Sequence, residues 1–194
     1  IKGEILKPSP LFADTFRYFF MRFRKEESIR KWFLKKAGEN SLAFSYPESF
    51  KHFKKTLIFL PETKELALPY LENFKKCWSK ENVLFVARDS LREVLIHHPL
   101  AKALFLTEKE FRFGEPAFEN IEKQISEFNP DFCIYLAAPF LPALYLAKRS
   151  SAPCRVGFQC ESLYPFLNIS LQVSSEPEKI SLLQKQYGVQ NANQ

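Results

Sequence analysis

The chain has 194 residues, of which 46% are apolar and 26% charged, with a net charge of +6. That length supports one well-filled core with little left for a second, and the composition is ordinary for a globular domain. No run of about 18 apolar residues occurs, which excludes a membrane-spanning helix; with only 5 glycines, the chain is also poor in the residue that phosphate-cradling loops rely on.

After a Pro-bearing lead-in, residues 12–36 carry a helical pattern. Phe16, Phe19, Phe20 and Phe23 fall at i, i+3, i+4, i+7, and Ile29, Trp32 and Phe33 continue the stripe. Arginines and lysines fill the other faces, and residues 1–40 hold ten Lys/Arg against five Asp/Glu. Residues 42–46 read as a short edge strand closed by Pro47, and residues 51–55 as a basic connector. The run 56–60 (TLIFL) is continuously apolar, as in a strand covered on both faces. A helix follows with Ala67, Tyr70, Leu71, Phe74, Cys77 and Trp78 on one face. Next come a strand at 83–86, a helix at 91–98 ended by Pro99, and a strand at 103–106. A helix at 116–128 turns Phe118, Ile121, Ile125 and Phe128 inward. Then follow a strand at 132–136, a helix at 140–149, a strand at 155–158, a strand at 169–173 and a helix at 178–187 capped by Gly188.

Strands alternating with helices of roughly 10–15 residues imply βαβ units. With right-handed crossovers they predict one α/β, Rossmann-like, three-layer domain with a mostly parallel sheet, preceded by an N-terminal amphipathic helix. The expected boundaries are residues 1–40 for the lead-in and basic aromatic helix, 41–188 for the α/β domain and 189–194 for a polar tail.

The four cysteines (Cys77, Cys133, Cys154, Cys160) form no CxxC pair, and two lie in apolar patterns. They read as reduced, buried hydrophobes of a reducing compartment, and the N-terminus lacks a signal-peptide layout. A cytoplasmic location follows, with peripheral contact at the inner membrane as an added reading of the basic helix. The histidines lack ligand spacing to the thiols, so no metal is expected. His97 and His98 read as partners of a helix C-terminus. No GxGxxG, GxxxxGK[ST] or GxSxG motif is present, and no cofactor is expected.

Three segments carry a family likeness. Residues 56–74 (TLIFLPETKELALPYLENF), 92–106 (REVLIHHPLAKALFL) and 131–158 (DFCIYLAAPFLPALYLAKRSSAPCRVGF) resemble the N-terminal, acceptor-side half of glycosyltransferase family 9, the lipopolysaccharide heptosyltransferases. The likeness covers residues 55–173 and also fits a small single-domain bacterial family derived from that half. The resemblance implies half of a GT-B fold. In the family, the donor nucleotide sugar is bound mostly by a C-terminal half, for which this chain has no length. The family's loop after the first strand carries a Gly-Asp pair whose carboxylate is the catalytic base. Here the loop reads Pro61-Glu62-Thr63, with Glu62 the weak candidate for that role and Leu68-Pro69 matching a Leu-Pro in the first turn of the next helix. The loop 137–139 (AAP) offers no polar side chain. Thr63, Lys64 and Gln159, beside strand ends, are the candidate binding residues.

These readings favour a non-catalytic binding or assembly module built on a degenerate glycosyltransferase half. The alternative is a heptosyltransferase-like enzyme active only with a partner that supplies the donor domain. The expected interface is the stripe Phe16, Phe19, Phe20, Phe23, Trp32 and Phe33, toward a protein partner or a second copy, or toward anionic lipid. Helical spacing gathers these rings into one stripe and leaves few to stack on bases, which argues against nucleic acid.

Overall fold

The computed structural model describes residues 27–28, 31–35, 53–77, 80–99, 102–107, 116–160, 163–173 and 175–183. The chain divides into two compact units, Ile1–Gly38 and Glu39–Gln194. In the first, the described residues are helical. Lys31 reaches back to Glu27 at 2.8 Å. Trp32 meets Phe33 edge to face with 5.5 Å between ring centroids; Trp32 is 40% exposed and Phe33 is buried. Phe16, Phe19, Phe20 and Phe23, and the expected strand at 42–46, lie outside the described residues.

The second unit is built on a six-stranded sheet. Its strands are β1 (Thr56–Phe59), β2 (Val83–Arg88), β3 (Ala103–Leu106), β4 (Phe132–Tyr135), β5 (Cys154–Phe158) and β6 (Ile169–Leu171), and its helices are α1 (Lys64–Cys77), α2 (Arg92–Ile96), α3 (Pro116–Phe128), α4 (Leu141–Arg149) and α5 (Glu176–Leu183). The spatial order is β3-β2-β1-β4-β5-β6, and every neighbouring pair is parallel. The central strands are apolar on both faces because both are covered. β1 and β4 are buried at every residue.

Order reverses between β1 and β4. Right-handed crossovers running in opposite directions from that point put α1 and α4 on opposite faces. Accordingly α1 packs against α5, and α3 against α4. On the α1 face, Ala67, Tyr70, Leu71 and Phe74 pack on Ile58, Phe85, Phe132 and Ile134. The helical stripe read from the sequence is thus the buried stripe, apart from Cys77 and Trp78, whose side chains are not described.

Several element ends differ from expectation. β2 runs two residues further, to Arg88, because Phe85–Arg88 find partners along β3. The segment before α2 is a 3-10 turn at Asp89–Leu91, tied by Arg92 to Asp89 at 2.7 Å. α5 starts at Glu176, two residues early. Pro69 lies in the second turn of α1 rather than the first, since the Ala67 N–H already bonds the Thr63 carbonyl. His98 follows the end of α2, where its N–H bonds Leu95 O at 3.1 Å. It is buried, it faces the Phe85 ring at 6.3 Å, and burial lowers its pKa. Cys133, Cys154 and Cys160 are buried, and burial pushes the Cys133 thiol up to about 12.

Glu176 ties α5 to α1. Its carboxylate accepts a short hydrogen bond from the Tyr70 hydroxyl and another from Lys179 at 2.5 Å. Burial works against its ionised form, but these two bonds outweigh that and hold its pKa below the usual 4.5. A folded-state pKa below the unfolded one contributes stability above the unfolded value, and that stability is lost as the pH falls through the folded value. Acidification from about pH 7 to about pH 3 is therefore expected to cost wild type more stability than Glu176→Gln. Urea denaturation at both pH values checks this, and equal losses would refute it.

Candidate functional site

In an open parallel sheet, ligands bind outside the carboxyl ends of the strands, at the point where strand order reverses. Here that point lies between β1 and β4. Leu60 to Thr63 leave β1, and Leu136 to Phe140 leave β4. Two hydrogen bonds continue the sheet just past the strands, from Leu60 N–H to Val86 O and from Leu136 N–H to Phe59 O, both 2.9 Å. The loops therefore start from a rigid edge.

Glu62 stands in this crevice, ahead of α1 rather than within it. Arg88, at the end of β2, donates to its Oε1 at 3.0 Å. The Arg88 guanidinium also lies over the Phe140 ring, 4.4 Å from the centroid. Ser90 Oγ donates to the Glu62 carbonyl at 3.1 Å. Three loops thus converge on one ion pair, and the cavity that remains among Leu60, Glu62, Arg88, Ala137 and Phe140 is about 20 Å³. That is room for about one water. Glu62 and Arg88 are both partly open to solvent, so the pair itself adds little to stability.

A larger cleft opens on the other side of the β4–α4 loop. Its volume is about 220 Å³, and its walls come from Tyr135 to Pro139, from Phe158 to Cys160, and from Leu163 and Lys179. Tyr135 shapes one wall. Its hydroxyl donates to Ala138 O at 3.1 Å and accepts from Phe140 N–H at 3.3 Å. Burial raises the pKa of that phenol, so it stays a neutral donor. The loop that offers no polar side chain of its own is thereby pinned by one from the strand before it. Gln159 sits at φ 48°, in the left-handed region. Its N–H bonds Leu171 O at 3.0 Å, which anchors it to the end of β6.

Among the candidate binding residues, Gln159 lines the larger cleft, whereas Thr63 and Lys64 are exposed at the start of α1 and line neither cavity. Arg88, Tyr135 and Lys179 were missed. Arg88 carried a usable signal, a cation at the end of an apolar parallel strand. Lys179 carried none, because only the return of α5 beneath β5 and β6 brings it to the cleft. Among the described residues no group of three or more His, Cys, Asp or Glu is placed to hold a metal, and no helix is long and apolar enough to cross a membrane.

No protein-family model matches the chain, and no curated protein matches it in sequence. Among solved structures, the fold is similar to a crystal structure described as the glycosyl transferase family 9 from Veillonella parvula DSM 2008. The TM-score is 0.50 at 18% identity, over 80% of this chain and 45% of that one. The chain thus spans less than half the length of that structure. At this identity the likeness establishes the glycosyltransferase-like fold.

Proposed function

We propose that this chain is a non-catalytic binding or assembly module built on the acceptor-side half of a glycosyltransferase. The observation that carries the reading is the Glu62–Arg88 pair in the crevice between β1 and β4. A general base must reach the acceptor hydroxyl with its carboxylate. Here the one carboxylate in the β1 loop accepts from Arg88 instead, and the remaining space holds about one water, not a sugar. The aromatic stripe read over residues 12–36 is the surface through which the module docks on a protein partner or a second copy; of its two described aromatic residues, Trp32 is exposed and Phe33 is buried.

The runner-up is a transferase that needs a partner to supply a donor site, and the 220 Å³ cleft at the strand ends favours it. One experiment separates the two. The purified chain is assayed for sugar transfer from a panel of nucleotide sugars, alone and with any Rossmann-like chain that co-purifies, while light scattering gives its mass. No transfer, and a mass above the monomer or a stable complex, is the expected result. Repeated turnover that Glu62→Gln abolishes would overturn the non-catalytic reading, and a chain that stays monomeric and unpartnered would overturn the assembly reading.

A further inference from the structure

We propose that the amino-terminal edge of the sheet, where Lys54, Lys55 and Lys102 stand, docks an acidic segment of a partner protein. This edge belongs to the second unit and lies at the end of the sheet opposite both cavities, so it goes beyond the docking proposed for the aromatic stripe. Lys75, Arg88, Arg92, Lys123, Arg149 and Lys179 of that unit each have a carboxylate oxygen within 3.8 Å. Lys54, Lys55 and Lys102 are exposed and have none at that distance among the described residues. Lys64 has none either, but it starts α1, at the carboxyl end of the sheet. The cations left without a carboxylate thus gather at the amino edge, which is the complement of an acidic surface.

The backbone fixes where these charges emerge. The Asp131 carboxylate accepts from the N–H groups of Lys54 and Lys55, at 2.8 and 2.9 Å, so it is engaged by backbone at this edge. Lys102 O accepts from Phe85 N–H at 2.9 Å. Lys55 and Lys102 lead into β1 and β3, which β2 separates. Both ammoniums nevertheless lie over the Phe128 ring, 5.6 and 5.2 Å from its centroid. Two positive charges held on one ring repel each other, and an anion between them relieves the repulsion. The surroundings select the kind of anion. Phe128 is buried, so it offers a nucleobase little to stack on. Of the large exposed apolar side chains described in this unit, Leu66, Leu68 and Ile96 lie on α1 and α2, across the sheet from Phe128, and Tyr164 lies in the loop between β5 and β6. A surface that enters a membrane interface sets apolar side chains beside its cations. A run of carboxylates on a protein needs only the charge.

The test is fluorescence anisotropy of a labelled octaglutamate peptide with the full chain, and amide chemical shifts to place it. Octaglutamine, vesicles of phosphatidylcholine and phosphatidylglycerol, and octauridylate are the comparisons. Octaglutamate is expected to bind, to shift the amides of Lys54, Lys55 and Lys102, and to weaken between about 20 and about 150 mM salt as screening grows. Lys55→Gln combined with Lys102→Gln should weaken it about tenfold, the scale of two exposed ion pairs. Arg92→Gln removes a charge from the carboxyl end of the sheet and should leave the affinity within about twofold, since screening limits its reach. If the double variant unfolds, Lys54→Gln takes its place, with an expected loss of about threefold. No binding of octaglutamate, or binding that these lysine variants leave unchanged, would overturn the surface. Tighter binding of the vesicles or of octauridylate would overturn the partner class. Either failure leaves the reading of the aromatic stripe standing, because the stripe belongs to the first unit and is tested by mass.

Discussion

Arg155→Met is expected to lower the unfolding free energy by about 3 kcal/mol, the scale of leaving several buried polar groups unsatisfied. Arg155 is buried in β5, although arginine is among the residues least often found inside. Its guanidinium donates to Phe166 O at 2.8 Å, to Ala152 O at 2.7 Å and to Pro165 O at 3.4 Å. Burial pushes its pKa down, but an arginine remains charged at neutral pH. Its backbone is engaged as well: the N–H donates to Asn168 Oδ1 at 2.7 Å, and the carbonyl accepts from Asn168 N–H at 3.0 Å. One side chain therefore fastens the turn before β5 and the loop before β6 to the same strand. Methionine fills similar volume but donates nothing. Arg155→Lys is expected to recover little, because a compact ammonium cannot span three carbonyls as a planar fork does. Urea denaturation of the three proteins checks this. A midpoint for Arg155→Met within error of wild type would show that the guanidinium adds no net stability.

Gly157→Ala is expected to cost about 1–3 kcal/mol, the usual range for forcing extra carbon into a packed core. A Cβ at this position would lie 2.6 Å from both Cys160 Sγ and Leu167 Cδ1. Both neighbours are buried, at 6% and 3% exposure, so neither can swing into solvent. The glycine is thus required by close approach of the loop that follows β5 and by the segment entering β6. Leu167→Ala removes one of the two obstructing atoms. In that background the added cost of Gly157→Ala is expected to shrink, as coupled neighbours are non-additive. An undiminished cost would mean that the clash with Leu167 is not the cause.

The strands were legible because a parallel sheet covered on both faces demands continuous apolar runs. Residues 56–60, 103–106 and 132–136 have them, and the strands lie there within a residue or so. The helices were legible from period: Ala67, Tyr70, Leu71 and Phe74 form one stripe in the sequence and one buried face in the fold. Ends were read less well, since they depend on partners. Arg88 is polar, and only its place opposite Leu106 makes it part of β2.

The sequence by itself determined the class of fold, the alternation of strand and helix, and the absence of a Gly-Asp pair from the β1 loop. These are properties of residue type and local spacing, which the chain carries whatever its neighbours are. Only the tertiary structure decided what stands at the strand ends. Glu62 meets Arg88 across 26 residues because β1 and β2 lie side by side. Tyr70 meets Glu176 across 106 residues because α5 returns to the face that α1 covers. Gln159 and Lys179 share a cleft for the same reason. Such meetings depend on strand order and crossover direction, and no periodicity in the sequence encodes them, since each side chain that takes part would fit equally well on an exposed surface.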